Sequence, residues 1–436
     1  MSSTVLFWHR RDLRIDNNAG LFKALTSGFK VQPVFIFDKQ ILSNLQKDDQ
    51  RVAFIYQEIS RLKQQYQSLG TDLLVIYGDP THCIPDLSSK LACSHVFTNS
   101  DYEPYALIRD SEIKAKLSSI NCTIIETKDH VIFEKSEVTK DDGLPYTIYT
   151  PYANKWKKQL TEDQLASFES SEQTHHLRLA NEFTSLISME EMGFNSKIKT
   201  IFPSNHFPET IISNYHETRN FPALLGTSRL SIHLRFGTIS IRSLATYALK
   251  HNATYLNELI WRDFYQMIIF HFPKTINNAF KPSYDRIIWE RNEAHFQAWC
   301  DGITGYPIVD AGMRELNETG FMHNRVRMVV ASFLTKHLLL DWRLGEAYFA
   351  EKLLDFELAS NVGGWQWAAG SGCDAAPYFR VFNPTSQQQK FDPTFLYIKK
   401  WVPEFGTDKY PKPIIEHTFA RERVLARYKE ALSPNV

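Results

Sequence analysis

Within the first 130 residues, short apolar, β-branched runs alternate with stretches of helical periodicity. The runs are Thr4–His9, Val31–Asp38, Asp72–Gly78, Ser94–Thr98 and Cys122–Glu126. Between the second and third, Val52, Ile55, Tyr56, Ile59, Leu62 and Tyr66 recur at helical spacing across Gln50–Leu69, and Gly70 stops the pattern. Alternation of this kind predicts a Rossmann-like parallel α/β sheet covered on both faces. Such sheets bind ligands beyond the carboxyl ends of their strands. No GxGxxG follows the first strand and no GxxxxGK[ST] occurs anywhere, which disfavours a common dehydrogenase and a P-loop NTPase.

The texture then changes. Residues 131–200 read as a long connector with some helical pieces: Asp141–Pro145 is turn chemistry, and Glu169–His176 is polar and aperiodic. From 201 to 436, Trp, Tyr, Phe, Leu and Met recur at three- and four-residue spacing. The expected fold is therefore α/β plus all-α: a sheet domain over 1–130, the connector, and a helical domain over 201–436. Aromatics make up 13% of the chain, with nine Trp. They fill a core or stack a flat ligand such as a base.

With 49 basic and 49 acidic residues the net charge is zero. A uniformly basic nucleic-acid binder is excluded, so any affinity for nucleic acid must come from a local patch. The five cysteines are scattered without CxxC spacing, which disfavours a disulfide framework or zinc site and fits a reducing compartment. The N-terminal MSSTVLFWHRR carries no signal-peptide pattern, and no apolar run suits a membrane helix. A soluble cytoplasmic protein without bound metal is expected.

Four segments of the helical half carry chemistry. Gly226–Ser231 places small hydroxyls before a helical pattern, where they cap the helix or, with its N-terminus, receive a phosphate. In Glu258–Tyr265, Glu258, Trp261 and Tyr265 share a helix face, as a core edge or as the wall of a base-stacking pocket. MHNRVRM (322–328) sets Asn324 and Met328 one turn apart beside Arg325, and an Asn with an Arg can satisfy a nucleotide's edge and phosphate. Asp355–Trp367 packs two carboxylates, an Asn, a double Gly and two Trp into thirteen residues, with the glycines read as a turn permitting close approach or positive φ.

Together Trp261-Arg262 with its flanks, MHNRVRM, NVGGWQWAAG and DAAPYFRVFNPTSQQQKFD resemble signature segments of class I photolyases, and FWHRRDLRIDNNAGL resembles that family's opening strand and loop. The resemblance to the photolyase/cryptochrome family runs in order from about residue 4 to about 403. It implies a C-terminal helical domain binding FAD, active when reduced. Tyr215, Thr227, Ser228, Arg229, Leu230 and Ser231 would hold the diphosphate; Asp355 and Asn361 would sit at the flavin ring, with Arg327 paired to Asp355. A buried carboxylate needs such a partner. The substrate would be UV-damaged DNA containing a cyclobutane pyrimidine dimer, flipped out of the duplex. Glu258, Trp261, Asn324, Arg325, Met328 and Trp367 would form its pocket, and Arg219, Arg262, Arg325, Arg380 and Lys390 would contact phosphates. The implied reaction is electron transfer from photoexcited reduced flavin to the dimer, with Trp365, Trp342 and Trp289 as the chain that photoreduces oxidised flavin, or as core tryptophans. A second antenna chromophore (folate, deazaflavin or flavin) in the α/β domain, a monomeric state, and a bacterial-type cytoplasmic, nucleoid-associated setting complete the picture.

Glu357, which the resemblance also counts among the cofactor-binding residues, stands where the family usually has Asp, Val362 where it has Asn, and Phe321 where it has Trp or Tyr. Tyr102–Ala106 lacks the Asn-Glu pair of some folate-binding members. A (6-4) photolyase carries a His pair where Asn324 and Met328 stand here. The main rival is a cryptochrome-type blue-light receptor that binds FAD without repair; Asn361, the WQW segment and the retained pocket residues speak against it.

Overall fold

The structure is a computed structural model that describes residues 4–197 and 200–433. The chain divides into two compact units, and not by a single cut. The first gathers Met1–Glu137, Gln159–Phe207 and Arg229–Lys250; the second gathers Val138–Lys158, Pro208–Ser228 and His251–Val436.

The first unit is built on a five-stranded sheet with β1 (Thr4–His9), β2 (Lys30–Asp38), β3 (Leu74–Gly78), β4 (His95–Asn99) and β5 (Thr123–Thr127) in the order β3-β2-β1-β4-β5. Every pairing is parallel. All five runs read from the sequence are strands, with ends displaced by no more than two residues. The alternation within each strand explains why. Val5, Phe7, Phe35 and Phe37 pack into one core, and Leu6, Trp8, Val34, Ile36 and Val96 into another. A sheet buried on both faces needs such continuous apolar runs.

Helix α1 (Gln50–Ser68) covers the first of these faces. It starts where the Asp49 side chain accepts a hydrogen bond from the Arg51 N–H, buries Val52, Ile59, Leu62 and Tyr66, and ends before Gly70 at φ +77°. Each such apolar side chain contributes about 1.5–3 kcal/mol on burial. Helix α2 (Pro104–Ser119) supplies Ile113 and Leu117 to the opposite core.

Arg229–Lys250 belongs to this unit, although its helical pattern reads continuously with the chain that follows. A buried charge cluster holds it there. Arg242 donates to the Asp129 carboxylate at 2.8 Å and to the Asn17 carbonyl at 2.6 Å, and Arg14 donates to both Asp129 oxygens.

The second unit is helical. Its elements that matter below are α3 (Tyr149–Gln159), α4 (Ala253–His271), α5 (Asn324–Ser332), α6 (Trp342–Lys352), α7 (Leu358–Ala369) and α8 (Pro384–Phe391). Its largest core holds Trp299, Trp342, Trp365, Phe333 and Phe349, with Trp289 and Trp367 packed against it.

Two local expectations are corrected. Gly363 and Gly364 form no turn: both lie inside α7 and neither has a positive φ. Close approach is their use, since a Cβ on Gly363 would stand 2.3 Å from the Tyr265 ring of α4. The small hydroxyls at 227–228 cap no helix either. The helix that follows is Ser231–Phe236, its N-cap position is Leu230, and no side chain caps it.

All five cysteines are free, and no cluster of potential metal ligands exists among the described residues. Among those residues, no helix is long and apolar enough to cross a membrane.

Candidate functional site

The site of the second unit is a solvent-open cleft between α4, α7 and the loop after α7. Trp261, Tyr265 and Ile268 line it from α4, Gly363 and Trp367 from α7, and Cys373 and Asp374 from the loop. Sequence spacing placed Glu258, Trp261 and Tyr265 on one face of α4, and the fold turns the last two into the cleft. Trp261 is half-buried, a wall rather than a core residue. Its neighbours in the helix are Phe264 and Tyr265, at ring-centroid distances of 5.6 and 5.3 Å.

One turn before Trp261, Glu258 is gripped by Arg219, Nη1 to Oε1 2.6 Å. Burial pushes the Glu258 carboxyl above the ordinary glutamate range, while Arg219 and then Arg325 pull it back. Arg325 is itself lowered by burial, then by repulsion from Arg219 and Arg380. Arg219 and Arg325 thus act on one carboxylate, and Arg380 lies near enough to Arg325 to repel it. Arg325 also donates to Asn220 Oδ1 at 2.6 Å, lies 4.4 Å over the Phe391 ring of α8, and reaches Met328 Sδ at 3.6 Å. Asn324 is exposed at the start of α5, and Arg380 and Lys390 are exposed as well. Arg262 is different. It is buried and donates to Glu357 Oε1 at 2.8 Å, which places it as a brace between α4 and the start of α7 rather than at the surface a phosphate would reach.

A second constellation follows α5 and α6. Arg327 donates to Asp355 Oδ1 and Oδ2 at 3.1 and 2.9 Å and to the Met322 carbonyl at 2.8 Å. Asn361 uses its amide N–H groups on the Glu346 carbonyl at 3.0 Å and on Glu346 Oε1 at 2.8 Å. Trp365 is buried, with its Nε1 unpartnered among the described residues. Its rings meet Phe349 at 5.0 Å and Trp299 at 6.0 Å. Trp342 is buried in the same core, and Trp289 lies against Tyr428 at 6.2 Å. Tyr215 is buried against Tyr255, and Ser228 shares a hydrogen bond of 2.8 Å with the Tyr255 hydroxyl. Thr227 and Ser228 belong to the second unit, whereas Arg229, Leu230 and Ser231 belong to the first.

Sequence reasoning did not find Asn220, Glu346 or Tyr149, each a partner to a residue it did find. They lie more than ten residues from those partners in the chain, and nothing in local spacing marks them.

In the first unit, the crevice beyond β1 and β4 is lined by Arg10, Arg11, Asn99, Ser100, Asp101, Asp129 and His130. This is where the strand order reverses, the usual ligand position of such sheets. Arg10 and Arg109 each stand 4.9 Å from the centre of the Trp8 ring.

Comparison with known proteins gives these sites their context. Residues 5–171 match the family described as DNA photolyase, and residues 255–408 match the FAD binding domain of DNA photolyase. A deoxyribodipyrimidine photo-lyase of Synechococcus sp. is 37% identical, across 99% of this chain and 97% of that protein. Among solved structures, a bacterial class III photolyase from Agrobacterium tumefaciens superposes with a TM-score of 0.87 at 32% identity, covering 99% of this chain and 98% of the other. An archaeal photolyase from Sulfolobus tokodaii, solved with two FAD molecules, gives 0.85 at 33% identity, covering 98% and 100%. The chain belongs to the DNA photolyase family. It is a lyase of that family and carries the family's FAD-binding domain.

The second constellation suits FAD. Trp365 Nε1 is a buried donor without a partner among the described residues, of the kind a flavin ring engages. Asp355 of the Arg327–Asp355 pair stands six residues before Asn361 in the chain, and the guanidinium of that pair is partly exposed.

Proposed function

We propose that this chain splits cyclobutane pyrimidine dimers in DNA under blue light, with the α4–α7 cleft receiving the flipped-out dimer. The observation that carries the reading is the pairing of two indole walls, Trp261 and Trp367, with a carboxylate set among arginines one helical turn away.

Each part has a physical task. A dimer stacks and pairs poorly, so extruding it costs on the order of a few kcal/mol or less. Stacking on Trp261 and Trp367 returns roughly 1–3 kcal/mol per base. Glu258 accepts from a thymine N–H, with Arg219 and Arg325 opposing the burial that raises its carboxyl. Arg219, Arg325, Arg380 and Lys390 neutralise backbone phosphates. Asp355, Asn361 and Arg327 hold the flavin ring, and Tyr215, Thr227 and Ser228 its diphosphate region. Reduced FAD, when bound, supplies the electron that light sends to the dimer and that returns once the ring has opened. Trp365, Trp342 and Trp289 carry electrons inward to that site.

The reading takes residues 1–130 as the antenna-type domain, 131–200 as connector and 201–436, apart from the 229–250 segment that groups with the sheet unit, as the FAD-binding catalytic part, in a cytoplasmic monomer. A second, light-harvesting chromophore belongs to it, and the absorption spectrum of the purified protein distinguishes folate, deazaflavin and flavin. A cryptochrome-type receptor would not need the stacking walls. Trp261→Ala therefore tests the reading: binding of dimer-containing DNA weakens while FAD stays bound, and equal loss of flavin contradicts it.

A further inference from the structure

Trp261 is not a bare wall. Tyr149, the first residue of α3, lies flat against it with ring centroids 3.7 Å apart and planes 4° from parallel. Tyr149 is tied at two further points. Its hydroxyl donates to the Asn257 carbonyl at 2.8 Å, on the same helix and one turn before Trp261. Its backbone N–H donates to Asp374 Oδ2 at 3.0 Å, and Asp374 lines the cleft.

Besides Tyr149, three residues of α3 hold α4: Trp156, Tyr152 and Lys157, whose Nζ donates to Asn257 Oδ1 at 2.7 Å. Trp156 is fully buried and donates to Asp263 Oδ2 at 3.0 Å; Tyr152 is buried with its ring 5.2 Å from Phe264. Tyr149 is only half-buried. Its ring is therefore not what docks α3. What it does is cover one face of an indole that would otherwise offer two, and hold that indole against rotation about its side-chain torsions.

We infer that Tyr149 is a positioning residue for lesion recognition: it backs Trp261 so that a flipped base stacks on the cleft-facing side alone, in one orientation. The inference rests on the repair reading and names a residue that reading does not require. A wall fixed before the ligand arrives spares the ordering cost that a mobile side chain would impose on binding.

The test uses the full FAD-loaded chain in the dark and a labelled oligonucleotide with and without one thymine dimer. Tyr149→Leu weakens binding of the dimer strand about tenfold, within the range of one stacking contact, and leaves undamaged-strand binding, flavin content and urea midpoint unchanged. Tyr149→Phe, which keeps the ring, binds as the wild type. The double variant with Trp261→Ala is no weaker than Trp261→Ala alone, because both changes remove one stacking platform. Wild-type dimer binding by Tyr149→Leu beside a loss in Trp261→Ala overturns the inference and leaves the repair reading standing. Normal dimer binding by both variants overturns both. Loss of flavin or of folding in Tyr149→Leu also overturns it, by making Tyr149 structural.

Discussion

Arg219 holds Glu258 through a single contact of 2.6 Å, against a burial that pushes the carboxyl toward its neutral form. On the repair reading, the pair sets the pH range in which the carboxylate can accept from a thymine. Replacing Arg219 by Met removes the largest opposing cause, so the protonation midpoint of Glu258 moves up. Dimer binding measured against pH is expected to lose affinity on the acid side at a higher pH in Arg219→Met than in the wild type, and to show no such limb in Glu258→Gln. An unmoved limb in Arg219→Met separates the pair from recognition.

Arg327 and Asp355 make a second pair, with the Asp355 side chain 8% exposed. Arg327→Leu leaves that carboxylate without its partner. The expected cost is about 1–3 kcal/mol, below the full price of a buried pair because Arg327 reaches solvent. Urea unfolding measures it. FAD content of the purified variant falls as well, and Arg327→Lys retains more of both.

Much of this fold was legible in the sequence because the sheet is buried on both faces. The inner strands Thr4–His9 and Lys30–Asp38 are almost wholly buried and so mostly apolar, and that pattern has no equally good helical reading. The edge strand Thr123–Thr127, with Thr123 and Glu126 exposed, was legible from its Ile124-Ile125 pair and its spacing. The helices were less sharply bounded. Gly363 and Gly364 look like a turn because a helix interior disfavours glycine; only the Tyr265 ring, nearly a hundred residues away, explains Gly363. Arg229–Lys250 carries the same texture as its neighbours, and nothing short of the Arg242–Asp129 contact reveals that it packs with the sheet. In the site, the candidate residues were named by motif, whereas those that contact them, Tyr149, Asn220 and Glu346, were not. Support comes from three-dimensional neighbours, and it leaves no local period.

Lys336 offers a stability test independent of function. It lies in a π-helical turn, Phe333–His337, buried, with Nζ donating to the Tyr378 carbonyl at 3.1 Å and standing 4.2 Å over the Tyr428 ring. Burial pushes its pKa down to about 7 from 10.5. Between those values the unfolded chain binds a proton that the folded chain does not, so stability rises with pH. Relative to Lys336→Met, the wild type gains about 1–2 kcal/mol from pH 7 to pH 9 in urea unfolding. Parallel pH profiles would place the ammonium in contact with water.

Gly345 of α6 faces Trp365 so closely that a Cβ would stand 2.1 Å from Cη2 of the indole. Gly345→Ala must displace that ring, at about 1–3 kcal/mol of stability. If Trp365 passes electrons inward, photoreduction of oxidised flavin slows too. Trp289→Phe is the complement: photoreduction slows, and repair by chemically reduced protein is spared. Unchanged photoreduction in Trp289→Phe removes that residue from the chain.

The most direct measurement reduces the purified protein, adds an oligonucleotide holding one thymine dimer, illuminates with blue light and counts restored thymines. The predicted result is restoration that requires both light and reduced flavin and that falls in Trp261→Ala. Bound, reduced flavin with no light-dependent restoration would contradict the assignment of the cleft to dimer repair.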